Sequence, residues 1–432
     1  VARTPEDHLA AVRALFGESP VEHAAPADAV GRRLVADVTA VEDSPRFDNS
    51  QMDGYALGDA HLAGGTFPVG PTIPAGADPR DILTGLTGLA AGVDERVIPV
   101  MTGARLPAGT AAVVPVEACE PSEFLGSDGN GSSDNGDNGE PVTVTVTVPA
   151  APAGQFVRTR GSDIRAGAVL LPAGHRVNPR TVGVAAAQGI TGLPVRRRAR
   201  IVVVTGGDEI GSAGDIPGAA SIRDANGPML EALCAAHDIV VAGTVRTSDN
   251  PDAFRVSLAD AVDRARPDAV VTSGGISHGR FEVVRQVLQS GTGVEAGWFG
   301  HVAQQPGGPQ GLARFHGVPV VCLPGNPVST AVSFRLFIAP VLGEVEETVT
   351  GRLTTPVQGL VGRDCFLRAR REVGADDGAH GTHGAHGAVV TVTPVGGTGS
   401  HLLAQSAEAD CLARIPAGKD LDRGAVVSVY PL

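Results

Sequence analysis

The chain has 432 residues, too many for one hydrophobic core, so two to four domains are expected. With 42% hydrophobic and 19% charged residues it falls among folded globular proteins, and 58 glycines and 32 prolines imply many turns and small β-rich units. A net charge of −13, one Trp and two Tyr argue against generic nucleic-acid binding and against base stacking as the main mode of recognition.

The cysteines, Cys119, Cys234, Cys322, Cys365 and Cys411, are scattered without a CxxC pair, and they read as reduced thiols of a cytoplasmic protein, not as zinc ligands or disulfides. Residues 1–15 carry charges throughout, and no run approaches the ~18 apolar residues of a membrane span. Neither a signal peptide nor a membrane partner is expected.

Residues 4–38 open with the helical spacing of Leu9, Val12, Leu15 and Phe16 and then turn through Pro20 and Pro26. From residue 41 the pattern becomes short apolar runs broken by Gly and Pro, ending in the strict alternation of 142–148, a strand signal. Within it, 126–139 is almost entirely Gly, Ser, Asp and Asn, and a disordered loop is expected there. Residues 157–194 return to helix and turn, with 179–189 helical. The β domain, 41–151, therefore reads as an insertion into a discontinuous linker domain of 1–40 plus 152–195.

Strands and helices alternate from 196 to 345. Strands are expected at 201–205, 239–242, 269–272 and 318–323, and helices at 226–236, 252–265, 281–288 and 328–342. Such βαβ units predict a three-layer αβα domain with a mostly parallel sheet, whose ligands bind at the carboxyl ends of the strands. Residues 346–432 read as a small C-terminal β domain.

The turns Thr205-Gly206-Gly207-Asp208-Glu209, Ser273-Gly274-Gly275 and Pro324-Gly325-Asn326-Pro327 all fall at those strand ends. At a strand–turn–helix junction the first-turn N–H groups and the positive end of the helix dipole face outward, and glycine lets a phosphate approach the backbone. A nucleotide or other phosphorylated ligand is expected. Asp208, Glu209, Asp224 and Asp249 lie near the same edge, which suits Mg²⁺ bridging to phosphates, with helix capping as the alternative reading. A second polar cluster, 48–56, reads as a loop presenting side chains or as an Asx-rich turn.

Taken in order, Asp48-Asn49-Ser50 with Met52-Asp53-Gly54-Tyr55-Ala56, Met101-Thr102-Gly103-Ala104, Arg160-Gly161-Ser162-Asp163-Ile164, Thr205 to Glu209, Thr272 to Ser277 and Leu323 to Ser329 resemble the molybdopterin molybdenumtransferases, the MoeA family that includes the gephyrin E domain. The resemblance spans nearly the whole chain. It implies a molybdopterin-binding type of αβα domain, a C-terminal small β-barrel, and a homodimer whose active site is shared between subunits. The implied reaction inserts molybdenum from molybdate into adenylylated molybdopterin (molybdopterin-AMP), with Mg²⁺, and releases AMP. Carried over by motif, Asp53, Thr102, Asp163 and Glu209 line the site, while Gly274, Gly275, Ser277, Pro324, Gly325, Asn326, Pro327 and, in a looser match, Ser400 hold pterin and phosphates. Asp208, Glu209, Asp249 and Glu282 are the implied metal ligands. A molybdopterin adenylyltransferase and molybdoenzymes are the implied protein partners.

The chain departs from the family where a lysine-rich stretch is usual. It has His301-Val302-Ala303-Gln304-Gln305-Pro306-Gly307-Gly308-Pro309, so His301, Gln305 and Gly308 replace lysines. Each lost ammonium removes a charge-assisted contact of ~1.5–3 kcal/mol. Arg280 stands where the family often has an acidic residue, and Arg246-Thr247-Ser248-Asp249 replaces its usual Arg and Asp pair. Two further functions stay open on this ground: a weakened paralogue acting as a molybdopterin carrier or chaperone, and a dimeric scaffold. The histidines at 380, 383 and 386 read as a polar loop before a metal site, and 196–200 as a solvated basic face before a nucleic-acid patch.

Overall fold

Strand Arg200–Gly206 buries both of its faces, Ile201 and Val203 on one side and Val202 and Val204 on the other. A strand buried on both faces needs a covering layer on each, which in parallel sheets is supplied by helices. The computed structural model describes residues 2–83, 93, 96–125, 144–207, 210–211, 221–277, 282–374, 389–397 and 399–432. These form one unit of Val1–Glu22, Gly31–Arg33 and Val195–Leu432 and another of His23–Val30 and Leu34–Pro194. The expected tip at 126–139 and the histidine loop at 378–387 lie outside the described residues.

The first unit holds a six-stranded sheet in the order Val240–Thr247, Arg200–Gly206, Ala269–Ser273, Val318–Leu323, Pro309–Phe315 and Val294–His301. The first four strands run parallel and the last two antiparallel. Helices Asn226–Ala236 and Pro327–Ser333 contribute Leu230, Cys234, Val328 and Val332 to the core on one face. Helices Pro251–Ala265 and Val283–Ser290 contribute Phe254, Leu258, Val284 and Val287 on the other. The result is the three-layer αβα arrangement. Strand order reverses between Arg200–Gly206 and Ala269–Ser273, because the chain places its second strand on one side of the first and its third on the other. That reversal opens the crevice in which such sheets bind ligands.

The four parallel strands and three of the helices form where the sequence expects them. Two features differ. The antiparallel strands Val294–His301 and Pro309–Phe315 were not expected, because Gly297, Gly300 and Gly311 interrupt their apolar alternation. The expected helix at 328–342 is α-helical over Pro327–Ser333, a π-turn over Phe334–Ile338 and α-helical again over Ala339–Leu342. Pro340 has no N–H for the i−4 carbonyl, so the regular ladder cannot run through it.

Helix Pro5–Leu15 begins at a capping box in which the Thr4 hydroxyl accepts from Asp7 N–H at 3.1 Å, with Pro5 in its first turn. Its Val12 enters the core beside the sheet. His8, fully buried, lies 4.7 Å from the Phe337 ring and 5.4 Å from Trp298. The basic run before the first strand is paired: Arg197 with Asp268 at 2.6 Å and Arg198 with Asp238 at 2.6 Å. Strands Val349–Leu353, Asp364–Gly374, Val389–Pro394, Cys411–Ile415 and Val426–Pro431 close a five-stranded barrel, because Asp364–Gly374 pairs with both its neighbours at the seam.

The second unit contains a three-stranded sheet in the order Ile98–Val100, Gly54–Leu57, Ala112–Pro115. Strand Thr145–Val148 alternates exposed threonine with buried valine and pairs with Gly65–Pro68. Helix Pro179–Ala187 starts at Asn178, whose side chain accepts from the N–H groups of Arg180 and Thr181. All five cysteines are buried free thiols. Among the described residues no helix is long and apolar enough to cross a membrane.

Candidate active site

Beyond strand Ala269–Ser273 the chain turns through Gly274 and Gly275 at φ of +94° and +66°. Side chains rarely tolerate these conformations, and a Cβ on Gly275 would lie 2.8 Å from Val284 Cγ2. The next strand, Val318–Leu323, ends in the second turn, and a Cβ on Gly325 would sit 3.2 Å from Gly274 Cα. The two turns therefore meet backbone to backbone. Gly274 N–H donates to Leu323 O at 3.1 Å, and the hydroxyls of Ser273 and Thr330 converge on Pro324 O at 3.1 and 2.7 Å. Asn226, 7% exposed, donates from Nδ2 to Gly325 O at 2.7 Å.

Among the described residues, the N–H groups of Gly275, Ile276 and Ser277 donate to no protein acceptor. Helix Pro327–Ser333 is not capped by a side chain, because Asn326 directs its Nδ2 to Ser400 Oγ at 2.9 Å. The first-turn N–H groups of Val328 and Ser329 have no acceptor within their own helix. Two adjoining sets of such N–H groups, at the carboxyl ends of the neighbouring strands Ala269–Ser273 and Val318–Leu323 and next to the sheet's switch point, make a cradle suited to an anion.

The cradle brings together Gly274, Gly275, Pro324, Gly325, Asn326, Pro327 and Ser400, with exposed Ser277 at its end. Arg285 Nη1 holds the Ser277 carbonyl at 3.3 Å. Ser400 is presented by a loop that buried Arg368 organises, donating to Leu402 O at 2.8 Å, Ser406 Oγ at 2.9 Å and Gly397 O. Arg368 also lines a cavity of about 310 Å³ with Pro306, Val328, Gly396 and Gly397. Asn226 and Arg368 escape sequence reasoning, since neither lies in a recognisable motif and both act on distant backbone.

The acidic edge is less gathered than the spacing suggests. Asp224 accepts from the Thr205 hydroxyl at 2.8 Å and from Gly227 N–H at 2.9 Å, so the capping alternative describes it. Glu282 precedes helix Val283–Ser290 without capping it, and Asp249 lies after strand Val240–Thr247. Asp208, Glu209 and Arg280 lie outside the described residues. Among the described residues no three His, Cys, Asp or Glu side chains are grouped to hold a metal ion.

The lysine-poor stretch is folded around neutral amides. Gln304 and Gln305 pair with Asp364 and Cys365 of the barrel. Gln304 Nε2 donates to Pro306 O at 3.0 Å, and Gln310 Nε2 to Gly307 O at 2.8 Å and Ser333 Oγ at 2.7 Å. Lys419 is the chain's only lysine among 34 basic residues. The depletion is therefore chain-wide and not confined to this stretch.

In the β unit, Asp53 and Thr102 are brought together. Asp53 Oδ1 accepts from Thr102 N–H at 2.6 Å and from its hydroxyl at 2.8 Å, and these two bonds hold the exposed carboxyl below its usual range. Gly54 has to be glycine here: a Cβ would fall 2.1 Å from Val114 O, so the tight strand pairing fixes where Asp53 emerges. The 48–53 and 101–104 loops are joined by Ser50 N–H to Ala104 O at 3.1 Å and Gly103 N–H to Ser50 O at 2.9 Å. Asp163 takes no part in the Asp53–Thr102 hydrogen bonds. Its N–H donates to Ser44 O at 3.0 Å and its side chain is exposed.

Comparison with known proteins bears on these two loop systems. Residues 3–189 match the MoeA N-terminal region (domain I and II), 202–344 the family described as "Probable molybdopterin binding domain", and 350–432 the MoeA C-terminal region (domain IV). Molybdopterin molybdenumtransferase 2 of Mycobacterium tuberculosis is 38% identical over 328 residues, covering 73% of this chain and 72% of that protein. Molybdopterin molybdenumtransferase 1 of the same organism is 30% identical over 453 residues, covering 99% and 98%. A crystal structure of the molybdopterin biosynthesis MoeA protein from Pyrococcus horikoshii superposes with a TM-score of 0.72 at 24% identity, over 100% of this chain and 99% of that one, a likeness of fold.

Proposed function

Because the chain belongs to the molybdopterin molybdenumtransferase (MoeA) family and so acts in molybdenum cofactor biosynthesis, we propose that its glycine cradle holds adenylylated molybdopterin while molybdenum from molybdate is inserted and AMP released. The observation that carries this reading is the pair of turns at Gly274 and Gly325, pressed together with two adjoining sets of N–H groups left without protein acceptors among the described residues, a setting suited to one anion. Neutral donors fixed in place before the ligand arrives need no reorganisation as charge builds on the departing phosphate. Asn226 and Thr330 keep the Pro324–Gly325 carbonyls turned inward, which leaves the N–H groups outward.

Asp53 is kept ionised by Thr102, and Thr102 in turn gives its hydroxyl proton to Asp53. Both side chains thus offer acceptors, suited to a water or a protonated oxygen of the ligand. In the proposed homodimer the second copy supplies this loop and Asp163, and the active site is shared between subunits.

Mg²⁺ is part of the proposal, with Asp208, Glu209, Asp249 and Glu282 as its ligand set. The described donors do not by themselves hold it, and Asp224 is committed to Thr205 and Gly227. A hard cation there supplies charge neutralisation for the phosphates. A molybdopterin adenylyltransferase and molybdoenzymes complete the proposed partners, and buried reduced thiols agree with a cytoplasmic setting.

One observation favours a second reading, a pterin carrier of weak activity: His301, Gln305 and Gly308 stand where the family has lysines, and the amides beside them, Gln304 and Gln310, are spent on Pro306 O, Gly307 O and Ser333 Oγ. Full-length protein mixed with adenylylated molybdopterin, Mg²⁺ and molybdate separates the two. AMP release above a protein-free control supports the transferase; tight pterin binding with no release supports the carrier.

A further inference from the structure

We propose that the β unit carries a second anion site, for a small organic phosphate monoester, in a cavity formed by residues 46–48, 78–80 and 105–110 with Val157 and Arg160. The cavity measures about 450 Å³. That volume is in the ordinary range of small-molecule pockets.

Four guanidinium groups, Arg46, Arg80, Arg105 and Arg160, line it against two carboxylates, Asp48 and Asp78. With Glu42 and Asp43, which pair with Arg46 and Arg160, four carboxylates match the four guanidiniums, so the cavity attracts an anion through guanidinium N–H groups that have no acceptor among the described residues and not through net charge. Asp78 fixes two of the four, accepting from Arg80 Nη2 at 2.7 Å and Arg105 Nη1 at 3.0 Å. Those two arginines hold its carboxyl down to about 2, so the arrangement stays ionised at any physiological pH.

Arg46 and Arg160 are each steadied through Nε alone, by Glu42 at 2.7 Å and Asp43 at 2.5 Å. Among the described residues, both terminal nitrogens of each remain without a side-chain or backbone acceptor. Arginines anchored at Nε with both Nη groups available present the fork that matches a phosphate. The arginine side chains are 40–71% exposed. Beneath them Leu106 and Pro107 are buried, and Phe47 and Val157 complete an apolar floor. A rim of arginine donors over an apolar floor selects an anion with an organic body over a bare inorganic ion.

The site does not rest on the transferase reading, and none of Arg46, Arg80 and Arg105 is among the residues assigned to that reaction. Isothermal titration calorimetry of the full chain with phenyl phosphate, inorganic phosphate and phenol tests it. Phenyl phosphate is expected to bind, inorganic phosphate about tenfold more weakly, and phenol without measurable heat. The double variant R46Q/R105Q is expected to weaken phenyl phosphate at least about tenfold, and R46Q alone, which loses only the Glu42 pair, about fivefold with an unchanged melting temperature. N326A, in the glycine cradle, is expected to leave this binding as it is. The proposal is overturned if phenyl phosphate does not bind, if R46Q and R46Q/R105Q bind as the parent does, or if N326A abolishes the heat.

Discussion

The cradle of the αβ unit and the loops of the β unit both offer groups suited to anions or their counterions, yet they are built from opposite materials. In the cradle, backbone N–H groups point outward, and the side chains beneath them, Ser273, Thr330 and Asn226, are neutral and buried. Around Asp53 and Arg105, exposed carboxylates and guanidiniums make the contacts. Backbone donors are fixed by packing and are little affected by salt or pH, whereas exposed ion pairs are screened and individually weak. The cradle should therefore fail through geometry, and the β-unit loops through charge.

The largest effect is expected from Gly325→Ala. Its Cβ would press against Gly274 Cα at 3.2 Å, and neither turn can give way without moving a strand end. AMP release should fall by at least about a hundredfold, because displacement by less than 1 Å already misplaces a preorganised donor. A Gly325→Ala enzyme with near-normal turnover would break the distinction between the regions. Asp53→Ala removes charge and leaves the fold alone. Turnover should drop about ten- to fiftyfold while the thermal midpoint stays within ~1 °C, since the side chain is exposed. A large loss of stability would show that this loop, too, is held by packing.

The smallest effect concerns His8, which shows how the αβ unit treats a titratable group. Burial, reinforced by the Arg3 charge, pushes its pKa down from 6.5 to about 3. Neither ring nitrogen has a hydrogen-bond partner among the described residues. The folded chain refuses a proton that the unfolded chain binds. Stability is then complete above about pH 6.5 and declines as pH falls from there toward 3. His8→Phe should raise stability at pH 5 by about 1 kcal/mol and flatten the decline over that window in denaturant titrations. An unchanged acid slope would mean that other groups set it.

How far the sequence foretold these regions depends on the range of the interactions. The strand–turn–helix junctions at 273–277 and 323–329 were legible because β-branched runs and glycines signal locally. The antiparallel strands Val294–His301 and Pro309–Phe315 were not, since their glycines hide the alternation and their pairing is tertiary. Asp224 had two readings, and only its bonds to Thr205 and Gly227 chose between them. Asn226 reaches a carbonyl 99 residues away, and Arg368 reaches acceptors 29 to 38 residues away, distances over which no spacing rule operates. The missing lysines were visible at once. The burial of the neighbouring amides Gln304 and Gln310 was not, because it depends on their tertiary bonds to Pro306, Gly307 and Ser333.

The central claim is that a cradle of backbone donors, without the family's lysines, still supports molybdenum insertion. Its most direct test is single-turnover AMP release from adenylylated molybdopterin on adding molybdate to the full chain with Mg²⁺, alongside Gly325→Ala. Release well above the protein-free rate, reduced at least about a hundredfold in the variant, is the predicted result. Release no faster than the protein-free control, or equal release by parent and variant, would contradict it.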